Sequence, residues 1–166
     1  MQPTSETDVA ALLEQLVTEA LPGRRGVSAW SALLRAHATL LRQLEMDLHQ
    51  ETGVGLGDFD VLAHLAAAGG ELRMSELADQ ALSSRSGLTR RVARLVDQGL
   101  VCRAGADSDG RGVVVSLTSA GIAQLSEVAP VHLRGVAHLF VAKLDDEELA
   151  VLERALGKIT LDCSFG

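Results

Sequence analysis

The stretch from residue 75 to 117, SELADQALSSRSGLTRRVARLVDQGLVCRAGADSDGRGVVVSL, switches between two periodicities in an order few folds accommodate. Helical spacing of apolar residues breaks at Ser83 and Ser84, then resumes to about Gln98. Gly99 closes that helix, because glycine takes a positive φ without steric cost. Val101–Arg103 and Val113–Leu117 are strand-like, and the nine residues between them contain the turn-forming Asp109-Gly110. A short helix, a tight turn, a second helix and a hairpin together predict a helix-turn-helix carrying a β-wing.

The flanks are helical. Residues 7–20 place Leu12, Leu13, Leu16 and Val17 on one side, and LPGRRG at 21–26 breaks that helix. Ser28 to Glu51 repeats Trp30, Leu33, Leu34, Leu40, Leu41, Leu44 and Leu48 at helical spacing, with Gly53, Gly55 and Gly57 ending it. Asp58 to Ala68 predicts a further helix, Leu72 a short strand, and Ser75 the cap of a brief helix to Leu82. Thr118 opens a long helix to about Lys143, kinked at Pro130, and Asp145 with Glu148 fits a capping box for a last helix to about Thr160. With aromatics at only 2%, the core must come from Leu, Val and Ala, which favours helices. The expected class is mainly α with a small β-wing, an α+β chain. Residues 1–27 form an extension helix and linker, 57–117 the winged helix-turn-helix, and 28–56 with 118–166 a helical region. Its surplus of Leu and Val suits dimerisation.

The second helix of the turn motif has two chemically distinct sides. At 100° per residue, Val92 and Leu95 fall within about 40° of Leu88, and these three form the inward stripe. Ser86, Arg90, Ala93 and Asp97 point the opposite way, with Thr89 and Arg94 flanking them. An outward arginine among small residues can reach a guanine edge in a major groove. Ser84 and Arg85 lie at the helix N-terminus, where backbone N–H groups favour phosphate, and Arg94 is also placed for phosphate. Arg111 near the hairpin tip suits a narrow minor groove, whose negative potential draws in a guanidinium. Asp107 and Asp109 either hold that loop or simply make turns.

Net charge of −7 argues at first against nucleic acid. Residues 84–103, however, carry five arginines against one acid, +4 in all, which leaves −11 for the remainder. A local concentration of this kind is what DNA meets. An ordinary solvated basic helix, or a winged helix that binds proteins and not DNA, are the competing readings.

Other classes find little support. Cys102 and Cys163 have no metal-type spacing, and Cys102 reads as a buried, inert thiol. No histidine among 37, 49, 64, 132 and 138 sits four residues from another, so neither metal nor cofactor is expected. The N-terminus MQPTSETDVA is no signal peptide and no run is long enough to span a membrane, which makes the cytoplasm the expected location. Nucleophile elbow, phosphate loop and paired-His helix are all missing, so no enzyme is expected.

The segments RMSELADQALSSRSGLTRRVARLVDQGLV and ADSDGRGVVVSLTSAG closely resemble the MarR family of bacterial transcriptional regulators, over about residues 28–160. The resemblance implies an obligate homodimer joined through its terminal helices, with two winged helices on a pseudo-palindromic DNA site. It also implies a repressor released by a small aromatic or anionic effector. The wing departs from the family in reading DSDGRG, where an arginine often precedes the second Asp. Family pockets lie between the dimerisation helices and the DNA-binding lobe. Arg91, about 60° from the Leu88 direction, lies at the edge of the buried face, with Asp60 and Arg103 as partners. A urate-responsive branch resembles this chain at Asp60, Arg91 and Arg103 and carries an added N-terminal helix. That branch has a Trp in the added helix; here Leu16-Val17 stands there and the single Trp30 follows on the next helix, near His37. A structural ion pair is the preferred reading of Asp60 and Arg91, and core or dimer packing that of Trp30 with His37.

Overall fold

The computed structural model describes residues 6–21, 23, 26–81, 84–105 and 112–163, with side chains from Val9 to Thr160. The chain divides into two compact units, residues 1–41 and 42–166.

The first unit holds α1 (Glu6–Ala20) and the opening turns of α2 (Val27–Thr52). The apolar stripe of α1 is solvent-exposed, with Leu12, Leu13 and Leu16 all more than half accessible. Trp30 is also 60% exposed, so it is no core residue of this chain.

The second unit continues α2 and adds α3 (Leu56–Ala67), β1 (Glu71–Arg73), α4 (Met74–Gln80) and α5 (Arg85–Asp97). Next come β2 (Val101–Ala104), β3 (Val114–Leu117), α6 (Ser119–Leu139), a 3-10 turn (Val141–Lys143) and α7 (Asp146–Cys163). The three strands form an antiparallel sheet in the order β1-β3-β2, with Leu72 opposite Val115 and Cys102 opposite Ser116. The isolated strand at Leu72 thus pairs with the returning strand of the hairpin and ties the turn motif to its wing.

Helix termini follow local chemistry. Ser84 caps α5, its Oγ accepting from the Gly87 N–H at 3.2 Å. At the other end Gly99, at φ +73°, lets Leu100 N–H reach the Leu95 carbonyl and its own N–H reach Val96, both at 2.9 Å. That pair of bonds satisfies carbonyls a helix end leaves open. Thr118 caps α6 and also donates to the Gly99 carbonyl at 2.7 Å, which joins the end of α5 to the start of α6. Asp145 and Glu148 exchange backbone bonds at 2.8 and 3.0 Å, the expected capping box.

Four local expectations change. α3 starts at Leu56 and so includes Gly57 within its first turn; Glu45 on α2 accepts from the Leu56 N–H at 2.7 Å and stabilises that earlier start. α4 starts at Met74, with Ser75 inside it, because Glu76 accepts from the Arg73 N–H at 2.9 Å. α6 runs through Pro130 but stops at Leu139, where bonding shifts to the i to i+3 pattern of the 3-10 turn. Cys102 is exposed, because alternation along β2 puts Val101 on the core side of the sheet and Cys102 on the other, its thiol directed at the Ser116 carbonyl.

One core joins Val61, Leu62 and Leu65 of α3, Leu77 of α4, Leu88, Val92 and Leu95 of α5, and Val101 and Val115 of the sheet. A second joins Leu48 of α2, Phe59 of α3 and Val128 of α6. Helix α3 contributes to both and is the element against which α5 and α6 are set. Among the described residues no helix is long and apolar enough to cross a membrane.

Candidate nucleic-acid interface

The inward stripe of α5 fixes the direction of everything else on that helix. Leu88, Val92 and Leu95 are fully buried. Ser86, Arg90 and Asp97 are correspondingly exposed, and Ala93 is half-buried. The hydroxyls nearby are already engaged locally: Thr89 donates to the Arg85 carbonyl at 3.0 Å, and the Ser84 and Ser86 hydroxyls are 3.4 Å apart.

The arginines differ in what holds them. Arg85 is 3.3 Å from Asp79 of α4, both side chains largely in water, an arrangement that contributes little. Arg91 places Nη1 3.2 Å from Asp58 Oδ1, with side-chain exposures of 28% and 15%. Arg94 reaches the same Asp58 oxygen from 53% exposure. Arg90 makes no ion pair or hydrogen bond among the described residues. Arg103, on β2, donates to the Thr89 carbonyl at 3.2 Å and so braces the outer side of α5 against the sheet. Arg111, Asp107 and Asp109 at the wing tip lie outside the described residues, as do Ser83 and the side chain of Cys163.

The ion pair linking α3 to α5 therefore uses Asp58, where the sequence pointed to Asp60. The reason is helical register. Asp58 sits in the first turn of α3, one residue after Gly57, and the Arg91 guanidinium lies directly against Gly57, in the space any Cβ there would occupy. Asp60 lies two residues further round and pairs with His64 at 3.3 Å, on its own helix. DFD in the sequence offers two acids; only the absence of a side chain at Gly57 marks which of them an arginine can approach. Trp30 and His37 belong to the first unit and Asp60, Arg91 and Arg103 to the second.

Asp58 also lines a cavity of about 280 Å³, together with Gln98, Gln124, Val54, Leu62 and Leu95 among others. None of Trp30, His37, Asp60, Arg91 or Arg103 lines it. Among the described residues no three His, Cys, Asp or Glu side chains are grouped to hold a metal ion.

The family model described as "MarR family" matches residues 52–112. The MarR-family transcriptional regulator Sco3205 from Streptomyces coelicolor, solved in complex with DNA, is 31% identical with a TM-score of 0.69, covering 82% of this chain and 83% of that one. This chain belongs to the MarR family. The MarR-family regulator AbsC, also from S. coelicolor, is 28% identical with a TM-score of 0.74 over the full length of both chains. A cysteine-to-serine variant of MarR from E. coli, complexed with operator DNA, is 26% identical with a TM-score of 0.68, covering 87% of this chain and 97% of that one. No curated protein sequence matches this chain. As a MarR-family winged-helix regulator, the chain has α4 and α5 as its helix-turn-helix and β2 and β3 as the strands of its wing.

One titratable group behind this surface is perturbed. His132 of α6 stacks on Phe59 of α3 with ring centroids 4.4 Å apart, and its Nδ1 is buried with no hydrogen-bond partner among the described residues. Burial pushes its pKa below the ordinary 6.5, against a smaller upward pull from Asp60. The folded protein therefore binds fewer protons than the unfolded chain just below pH 6.5. This contribution to stability is complete above 6.5 and declines as pH falls toward the lowered folded value. Thermal unfolding followed from pH 7.5 to 5 should show the midpoint dropping below about 6.5, and His132→Gln should flatten the drop. An unchanged slope in the variant would contradict this account of His132.

Proposed function

We propose that this MarR-family chain is a sequence-specific DNA-binding regulator, a homodimeric repressor acting on a pseudo-palindromic operator. The observation that carries this reading is the exposed Arg90, which has no ion pair among the described residues, on a helix whose opposite stripe is fully buried. An exposed guanidinium can bond a guanine edge through two N–H groups, and the small Ala93 one turn along allows close approach. Arg85, Arg94 and the backbone at Ser84 serve the phosphates, Ser86 and Thr89 the groove floor, and Arg111 the minor groove. That Sco3205 was solved in complex with DNA, and the E. coli MarR variant with operator DNA, supports DNA as the partner.

The dimer reading rests on unpartnered apolar surface. Ile122 and Leu133 on α6 and Val151 and Ile159 on α7 are all exposed in the single chain. Two winged helices carried by one dimer would read two half-sites about one helical turn apart. Sedimentation equilibrium at micromolar concentration should return twice the 17.5 kDa chain mass; a monomer would contradict this part. The effector reading rests on the cavity beside Asp58, with an aromatic or anionic molecule entering between α3, α5 and α6. Of the residues singled out in sequence, Arg91 stands nearest that role, through Asp58. Release of bound DNA on adding benzoate or salicylate tests it, and unchanged DNA binding at saturating concentrations would count against it.

The base-reading role separates from the phosphate role by mutation. Arg90→Ala should weaken specific DNA by roughly ten-fold or more, about 1–3 kcal/mol, and change random DNA far less. Arg85→Ala should weaken all sequences alike and lower the salt slope by about one. Equal losses on both DNAs in Arg90→Ala would remove the base contact from the account.

A further inference from the structure

Asp58 holds two arginines through one oxygen, and the two are not held equally. Arg91 is confined: its guanidinium lies against Gly57, its side chain is mostly buried, and it belongs to the inner edge of α5. Arg94 reaches the same oxygen from a side chain that is 53% exposed, on the flank of the face that carries Arg90. Arg94 makes the shorter contact with that oxygen, but from a half-exposed side chain whose attraction water and salt screen, and Asp58 is already balanced by Arg91. A DNA phosphate presents a full negative charge that Asp58, already neutralised by Arg91, does not match.

We propose that Asp58 is a positioning residue that keeps Arg91 in place and withholds Arg94, so that Arg94 reaches a phosphate only by leaving Asp58. This rests on the DNA-binding reading above. Asp58 then limits affinity for any DNA sequence, while Arg90, which pairs with no carboxylate among the described residues, is unaffected. The arrangement raises the discrimination of the helix, because the tether weakens the contact that carries no sequence information and spares the one that does.

The test is a double-mutant cycle on random duplex DNA. Asp58→Asn should tighten binding about three-fold, the scale of an exposed ion pair removed as competitor. In an Arg94→Ala background the same substitution should change binding little. If Asp58→Asn weakens binding or leaves it unchanged while its melting midpoint stays near wild type, the withholding role is wrong. If the gain persists undiminished without Arg94, the effect is the general field of one less acid and the proposal fails. Should Asp58→Asn unfold, the wild-type protein decides instead: adding random duplex should move the Arg94 Nε–H resonance in side-chain ¹⁵N spectra and leave that of Arg91 in place. A stationary Arg94 signal overturns the proposal. Wild-type protein that binds no DNA at all overturns the functional reading instead, so the two failures are distinct.

Discussion

The burial of Leu88, Val92 and Leu95 against α3, α4 and the sheet sets the rotation of α5, and every functional direction follows from that rotation. Each fully buried leucine or valine contributes about 1.5–3 kcal/mol relative to exposure, so the stripe is worth several kcal/mol. Turning the helix by one residue, 100°, would lose that burial. Arg90 consequently has no choice of side: it faces solvent because the other side is the core.

Charge is distributed to match. A chain of net −7 places acids against the arginines that flank the exposed face of α5, and among the described residues leaves Arg90 without one. Asp79 meets Arg85 in water, Asp58 meets Arg91 in a mostly buried pair, and Arg94 shares that pair from outside. The acidic remainder of the molecule opposes non-specific association with DNA, and the positive segment must overcome it locally. On the proposed reading, sequence discrimination benefits from this opposition, since contacts that read no bases are the ones weakened.

Much of the fold was legible in the sequence where chemistry is local. The stripe on α5, the start of α6 after Thr118, the Gly99 terminus and the Asp145–Glu148 box depend on residues within a turn of one another, and each appears as read. What depends on distant partners was less legible. The earlier start of α3 comes from Glu45 on another helix, and the partner of Arg91 is set by the missing side chain at Gly57. The exposure of Cys102 follows from alternation along β2, where Val101 takes the core side of the sheet and Cys102 the other. His132 gave no sequence signal at all, since only its stacking on Phe59 across two helices distinguishes it from the other four histidines.

The central claim is that the exposed face of α5 reads a DNA sequence. Fluorescence anisotropy of the purified protein with its own upstream region and with a scrambled duplex, across a salt series, tests it most directly. The account predicts salt-dependent binding to both, with the upstream region bound tighter by about a thousand-fold or more near physiological salt. Equal affinity for the two duplexes at every salt concentration, across upstream fragments tiled to cover the whole region, would contradict it.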